Sequence, residues 1–202
     1  MSATTPAQVK ELREKTNAGM MDCKKALDET GGDLVKAEEL LRKKGIASAG
    51  KKASRTAKEG IVASYIHLQG KVGVLVEINC ETDFVAKNEN FRDLVKDITL
   101  HIAASHPLYV SRDQVPEQLI AAEREIFAAQ VIGKPANIVD KIVDGKIDKF
   151  YSTICLLEQA FIKNPDLSVK DLVSTKISEL GENIVIRRFT RYQVGEDFGA
   201  EA

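Results

Sequence analysis

Glu77-Ile78-Asn79-Cys80-Glu81-Thr82-Asp83-Phe84-Val85-Ala86-Lys87 is the stretch where an apolar strand ends and the chain turns toward a helix, with Phe84 set behind an acidic tripeptide. Upstream of it, Lys71 to Asn79 and Ile61 to His67 are β-rich runs on either side of Gln69-Gly70. The Gly in that connection predicts an antiparallel hairpin. Downstream, from about Asn88, the apolar period changes to that of a helix: Phe91, Leu94, Val95, Ile98, Ile102 and Ala103 share one face until Pro107 stops it. Pro116 opens a second helix through Leu119, Ile120, Glu123, Ile126 and Phe127 to Gly133. A third begins near Pro135 and carries Ile138, Ile142 and Ile147, with Gly145 as a weak point. Ser168 caps a fourth that runs to Leu180 and ends at Gly181, and Ile184 to Phe189 is a final strand expected to pair with the hairpin. Strands before and after a helical block define an α+β core, an antiparallel sheet with helices packed on it.

The N-terminal part reads differently. Thr5 as cap and Pro6 at the first helical position open a helix in which Val9, Leu12 and Arg13 share a face. Thr16-Asn17-Ala18-Gly19 breaks it, a second helix passes through Met20, Met21, Cys23, Lys24 and Leu27 to Gly31-Gly32, and Asp33 caps a third with Leu34, Ala37, Leu40 and Leu41. Gly45 is the expected stop. Residues 46–60 hold almost no large apolar side chain and read as a linker, helical at most in part. The expected organisation is a three-helix module over 1–46, a basic linker over 47–59, an α+β core and dimerisation domain over 60–194 and a tail over 195–202.

The chain has 202 residues, 44% apolar and 29% charged, with a formal net charge of −1. That composition suits a folded globular protein. Near-neutral charge counts against a nucleic-acid coat, which needs a clear excess of Lys and Arg. The local exception is 42–58, where Arg42, Lys43, Lys44, Lys51, Lys52, Arg55 and Lys58 stand with no acid among them; a solvated linker and an RNA-binding arm are both open. Cys23, Cys80 and Cys155 are distant and odd in number, so neither a disulfide framework nor a zinc site is expected, and a reducing cytoplasm fits. No apolar run approaches the roughly 20 residues of a membrane span, and the polar start has no apolar signal core.

Catalysis requires mutually tuned groups or a bound cofactor, and neither is legible. His67, His101 and His106 have no metal-ligand spacing, and His101 and His106 read as helix-surface or helix-end residues. The phosphate-loop, dinucleotide and hydrolase signatures are missing. Cys80 has no identifiable base and reads as a buried structural thiol. The expectation is a binding protein, not an enzyme, with no cofactor and no metal of its own. Phe84 then has two readings. It is a rigid aromatic anchor for a partner's pocket with Asp83 orienting it, or it packs under its own sheet while Thr82 or Asp83 caps the next helix. Met20-Met21 is a second candidate contact, because adjacent helical residues cannot both face the interior; Lys24 shares a face with Met20, and Lys10 can lie beside it.

Leu12-Arg13-Glu14-Lys15-Thr16-Asn17-Ala18-Gly19-Met20-Met21-Asp22-Cys23-Lys24-Lys25-Ala26-Leu27 and the segment 77–87 closely resemble the two sequence signatures of the elongation factor Ts family. Gly181-Glu182-Asn183-Ile184-Val185-Ile186-Arg187-Arg188 resembles the same family's core-strand motif. The resemblance implies a guanine-nucleotide exchange factor for elongation factor Tu, with an N-terminal module like that of ubiquitin-associated domains. By position it implies that Asp83 and Phe84, flanked by Thr82 and Val85, wedge near the partner's magnesium and switch region. Lys10, Met20, Met21 and Lys24 would meet the partner's G domain, and Leu180 and Gly181 would make a secondary contact. Asn17 stands where the family more often has Gly, a position Asn tolerates best after Gly. Longer members carry two core copies and a helical hairpin insertion, whereas this chain shows one copy. The resemblance therefore implies a two-fold homodimer binding two partner molecules, with His67 of the opposite subunit placed against the third domain of elongation factor Tu. A rival reading is an RNA-associated factor using the basic linker, and another is a redox protein using Cys80.

Overall fold

The computed structural model describes residues 4–16, 18–131 and 135–196, apart from the side chains of 46, 48, 136 and 137. Asn17, Gly133 and the tail from 197 onward, all used in reading the sequence, lie outside these residues. The order of elements is α1 (Pro6–Thr16), α2 (Met20–Glu29), α3 (Leu34–Lys52), β1 (Glu59–His67), β2 (Val72–Cys80), α4 (Asp83–Ala86), α5 (Glu89–Ser105), α6 (Glu117–Ala129), α7 (Ala136–Ile154), β3 (Ala160–Phe161), β4 (Asn164–Ser168), α8 (Val169–Leu180) and β5 (Val185–Gln193). This is the α+β architecture expected, an antiparallel sheet with helices and three helices ahead of it. The chain falls into two compact units: residues 1–61, 78–95 and 171–185 form the first, and 62–77, 96–170 and 186–202 the second.

In the first unit, α1 opens on a reciprocal cap in which the Gln8 amide donates to Thr5 Oγ1 (3.3 Å) and the Thr5 amide donates to Gln8 Oε1 (2.9 Å). Asp33 caps α3 by accepting from the Lys36 amide at 3.1 Å. Val9, Leu12, Cys23, Ala26, Leu27 and Ala37 make the shared core of the three helices. Gly45 does not stop α3. It is a buried interior position whose Cα faces Ser178 of α8, with an added Cβ 3.5 Å from the Ser178 Cβ. Arg42 pairs with Asp171 at 3.2 Å and Lys52 donates to the Ile177 carbonyl at 3.3 Å, so α3 is held along α8 well past the module. Ala-rich sequence with Lys51 and Lys52 in the last turn favours helix there, and the glycine permits close approach at a tolerable propensity cost.

Gly60 marks the other close approach in this unit. Its φ is +143°, and a Cβ would lie 2.2 Å from the Ile78 carbonyl oxygen and 2.7 Å from the Asn79 Cα. Gly60→Ala is expected to cost about 3 kcal/mol of stability through this backbone clash, read as a lowered urea midpoint at unchanged slope.

The three-stranded sheet has the order β1-β2-β5. β2 alternates cleanly: Val72, Val74, Val76, Ile78 and Cys80 are buried, and the residues between them face outward. The buried stripe of α5 is the one its spacing predicts, Phe91, Leu94, Val95, Ile98, Ile102 and Ala103. In the second unit the β1–β2 connection is tighter than its single glycine suggests, because Leu68 (φ 48°) and Gln69 (φ 55°) join Gly70 (φ 93°) in the left-handed region. In the same unit, α6 and α7 pair as a helical hairpin through Arg124–Asp144 (2.6 Å), Lys146–Gln130 (2.6 Å) and Lys146 over the Phe127 ring. Gly145 leaves α7 uninterrupted, and Ile138 faces outward instead of joining the buried Ile147. The short β3–β4 pair was not expected from the sequence.

His101 corrects the sequence reading, for it lies fully buried. Its Nε2 is 2.9 Å from Gln159 Oε1, and its Nδ1 accepts from the Ile162 amide at 3.2 Å, which makes the neutral ring with hydrogen on Nε2 the form that satisfies both. Burial lowers its pKa from the ordinary 6.5, against the opposing pull of the Gln159 hydrogen bond. The unfolded chain therefore takes up a proton that the fold refuses, and stability drops as pH falls below the unfolded value, until the folded ring itself titrates. A urea midpoint lower at about pH 5.5 than at about pH 7.5, with a shallower drop in His101→Gln, is the expected result.

Candidate functional site

Thr82 ends the extended backbone after β2 and caps α4, its Oγ1 accepting from the Val85 amide at 3.3 Å. The cap reading and the anchor reading of this segment are thus compatible, because Thr82 caps while Phe84 does not pack under the sheet. Phe84 is 76% exposed, on the first turn of a four-residue helix whose Val85 and Ala86 are buried. Asp83 accepts from Lys87 Nζ at 2.7 Å, and this ion pair holds its carboxyl below the ordinary range. The result is an aromatic ring presented to solvent beside a fixed carboxylate.

The frame behind this turn is polar and reciprocal. Glu182 accepts from the Glu81 and Thr82 amides, both at 3.0 Å, and from the Thr82 hydroxyl at 2.6 Å. Glu81 returns the contact by accepting from the Asn183 amide at 2.6 Å and lies 3.6 Å from Arg55. Asn183 Nδ2 in turn donates to the Arg55 carbonyl at 2.8 Å. Sequence reasoning passed over Glu182 and Asn183, although both stand in the motif quoted above.

On the three-helix part, Met20 and Met21 are 55% and 64% exposed. Neither serves as core, since Cys23, Ala26 and Leu27 fill that face of α2. Lys24 is exposed, and Lys10 is exposed in an i,i+4 pair with Glu14 at 3.8 Å. Leu180 is half-buried and Gly181 follows it at φ +78°. All these positions and 82–85 belong to the first compact unit, whereas His67 belongs to the second. There the His67 Nδ1 lies 2.9 Å from the Tyr65 hydroxyl, with the two rings stacked.

The second unit carries a different surface. The outward side of the sheet exposes Val62 and Ile66 of β1, Leu75 of β2 and Tyr192 of β5, with the side chain of Ile66 lying over Gly73. Arg188 pairs with Glu77 at 2.8 Å on the same side, beside a shallow cavity of about 310 Å³ bordered by Val62, Leu75 and Thr190.

The rival sites fare poorly. Cys80 is buried and its thiol is pushed up to about 11 by desolvation, then by the Glu182 carboxylate, which opposes the thiolate a redox or nucleophilic role needs. Cys155 is likewise pushed up to about 11 by burial. Much of the basic stretch is spent on the protein's own acceptors, Arg42 on Asp171, Lys44 on Glu29, Lys52 on the Ile177 carbonyl and Arg55 on Glu81. Among the described residues no group of three or more His, Cys, Asp or Glu is placed to hold a metal ion, and no helix is long and apolar enough to cross a membrane.

Fold and surface together define an α+β protein that holds an exposed aromatic on a hydrogen-bonded frame. A family model described as Elongation factor TS matches residues 48–196. An elongation factor Ts from Carboxydothermus hydrogenoformans is 57% identical over 98% of this chain and 95% of its own length. One from Thermodesulfovibrio yellowstonii is 56% identical over 96% and 98%, and one from Alkaliphilus oremlandii 60% identical over 95% and 89%. The chain belongs to the elongation factor Ts family.

Proposed function

We propose that this protein is a guanine-nucleotide exchange factor that binds elongation factor Tu carrying GDP and speeds GDP release. The observation that carries the reading is Phe84, a large aromatic left in water just past the end of a strand while Val85 and Ala86 after it are buried. Phe84 acts as a wedge near the partner's magnesium and switch region, and Asp83, Thr82 and Val85 set its approach. Lys10, Met20, Met21 and Lys24 of the module over 1–46 meet the G domain, where exposed methionines suit an adaptable apolar contact with a basic rim. Leu180 and Gly181 add a secondary contact. Exchange by such a device is reciprocal: a factor that weakens GDP binding is itself bound more weakly in the presence of GDP, so the ternary complex is transient and GTP rebinding completes the cycle. Magnesium and phosphate are held by close-fitting polar contacts, which a displacement of the magnesium side disrupts.

The protein acts in the cytoplasm as a two-fold homodimer that binds two molecules of elongation factor Tu, with the core over 60–194 supplying the dimer contact and His67 reaching the partner bound to the opposite subunit. The exposed apolar side of the sheet supports this association. Stopped-flow release of labelled GDP from elongation factor Tu, with and without the protein, tests the function; a release rate that does not rise with protein concentration overturns it.

A further inference from the structure

Phe84 is largely exposed, so its placement depends chiefly on the backbone of the turn that carries it. That turn hangs on one carboxylate. Glu182 satisfies the Glu81 amide, the Thr82 amide and the Thr82 hydroxyl together, and the same hydroxyl oxygen accepts from the Val85 amide, which fixes the first turn of α4. The two amides share one carboxylate oxygen and the hydroxyl takes the other, so cutting the Glu182 side chain back to alanine removes all three legs. Glu182 itself follows Gly181, whose φ of +78° ends α8 and turns the chain toward β5. Glu81 and Asn183 close the clamp from the other side at 2.6 Å.

We propose that Glu182 is a positioning residue for the Phe84 wedge: its carboxylate aims the ring without touching the partner. This rests on the exchange reading above and extends it to a residue with no place in the contact surface.

The test is a double-mutant cycle of Glu182→Ala and Phe84→Ala in maximal GDP release from elongation factor Tu, alongside amide hydrogen exchange. Glu182→Ala is expected to lower the maximal rate about tenfold with little change in the half-saturating concentration, and to have no further effect once Phe84 is Ala. Exchange at the Glu81 and Thr82 amides is expected to accelerate while Val74 and Val76 stay protected. Equal losses with and without Phe84 overturn the positioning role, as does a Glu182→Ala protein that matches the parent. A Phe84→Ala protein that matches the parent overturns the wedge instead, which separates the two failures. Should Glu182→Ala lose protection throughout the sheet, Thr82→Val, which removes the hydroxyl leg and with it the Val85 cap, takes its place in the cycle under the same criteria.

Discussion

Phe84→Ala is expected to lower maximal GDP release from elongation factor Tu by about thirtyfold or more, with thermal stability unchanged. The magnitude follows from the ring's exposure: burying a phenylalanine in a partner is worth about 2 kcal/mol, and that energy is lost when the ring is removed. Stability should hold because the side chain is 76% exposed, and surface changes of that kind stay within about 0.5 kcal/mol. Stopped-flow release at saturating protein and a melting curve read the two halves of the expectation. Full exchange activity in a stable Phe84→Ala protein removes the wedge. A lowered melting point would instead place Phe84 in the structural framework, contrary to its exposure.

Ile66→Glu and Leu75→Glu are each expected to convert the protein from dimer to monomer. Each strand of the sheet has nine residues, so its outward side measures about 30 Å by about 14 Å, and a face-to-face pair buries on the order of 1,000 Å² in total. That is close to the lower limit for a specific association. Two-fold symmetry places each new carboxylate twice in one small interface, and an unpaired buried charge costs several kcal/mol. Sedimentation at tens of micromolar is the measurement. A monomeric parent refutes the dimer. A dimeric parent whose two variants remain dimeric moves the interface off the sheet.

Periodicity made the fold largely legible. The β-rich run from Lys71 to Asn79 returns as β2, the helical stripe from Phe91 to Ala103 reappears residue for residue as a buried row, and Pro and Gly at element ends set most boundaries. The failures share one physical cause, a partner distant in sequence. Gly45 looks like a stop until Ser178 lies against it, since a helical glycine is dear only when nothing repays the close approach. His101 looks like a surface histidine until Gln159 and Ile162 satisfy both ring nitrogens. Leu68 and Gln69 show no sign in composition that the whole connection turns left-handed. For the candidate site, the residues of 82–85 were identifiable from their motif, but exposure of an aromatic has no local signature. Glu182 was invisible because its donors stand about a hundred positions upstream. The exposure of both Met20 and Met21 was missed because Cys23 and Leu27 sufficed to fill the face between the helices.

The unbroken course of α3 past Gly45 bears on avidity. Exposed Met20 and Met21 and exposed Phe84 stand within one compact unit, tied through Arg42, Lys52 and the Asn183 clamp, with no flexible tether between the module and α8. On the exchange function proposed above, once one patch is seated the second engages at an effective concentration set by a stiff spacer instead of a diffusing chain. Such a spacer gives its advantage only when both sites on the partner lie at the matching separation. A conformational change in the partner that alters this separation would therefore release both patches at once, which is how a tight contact can also be a short-lived one.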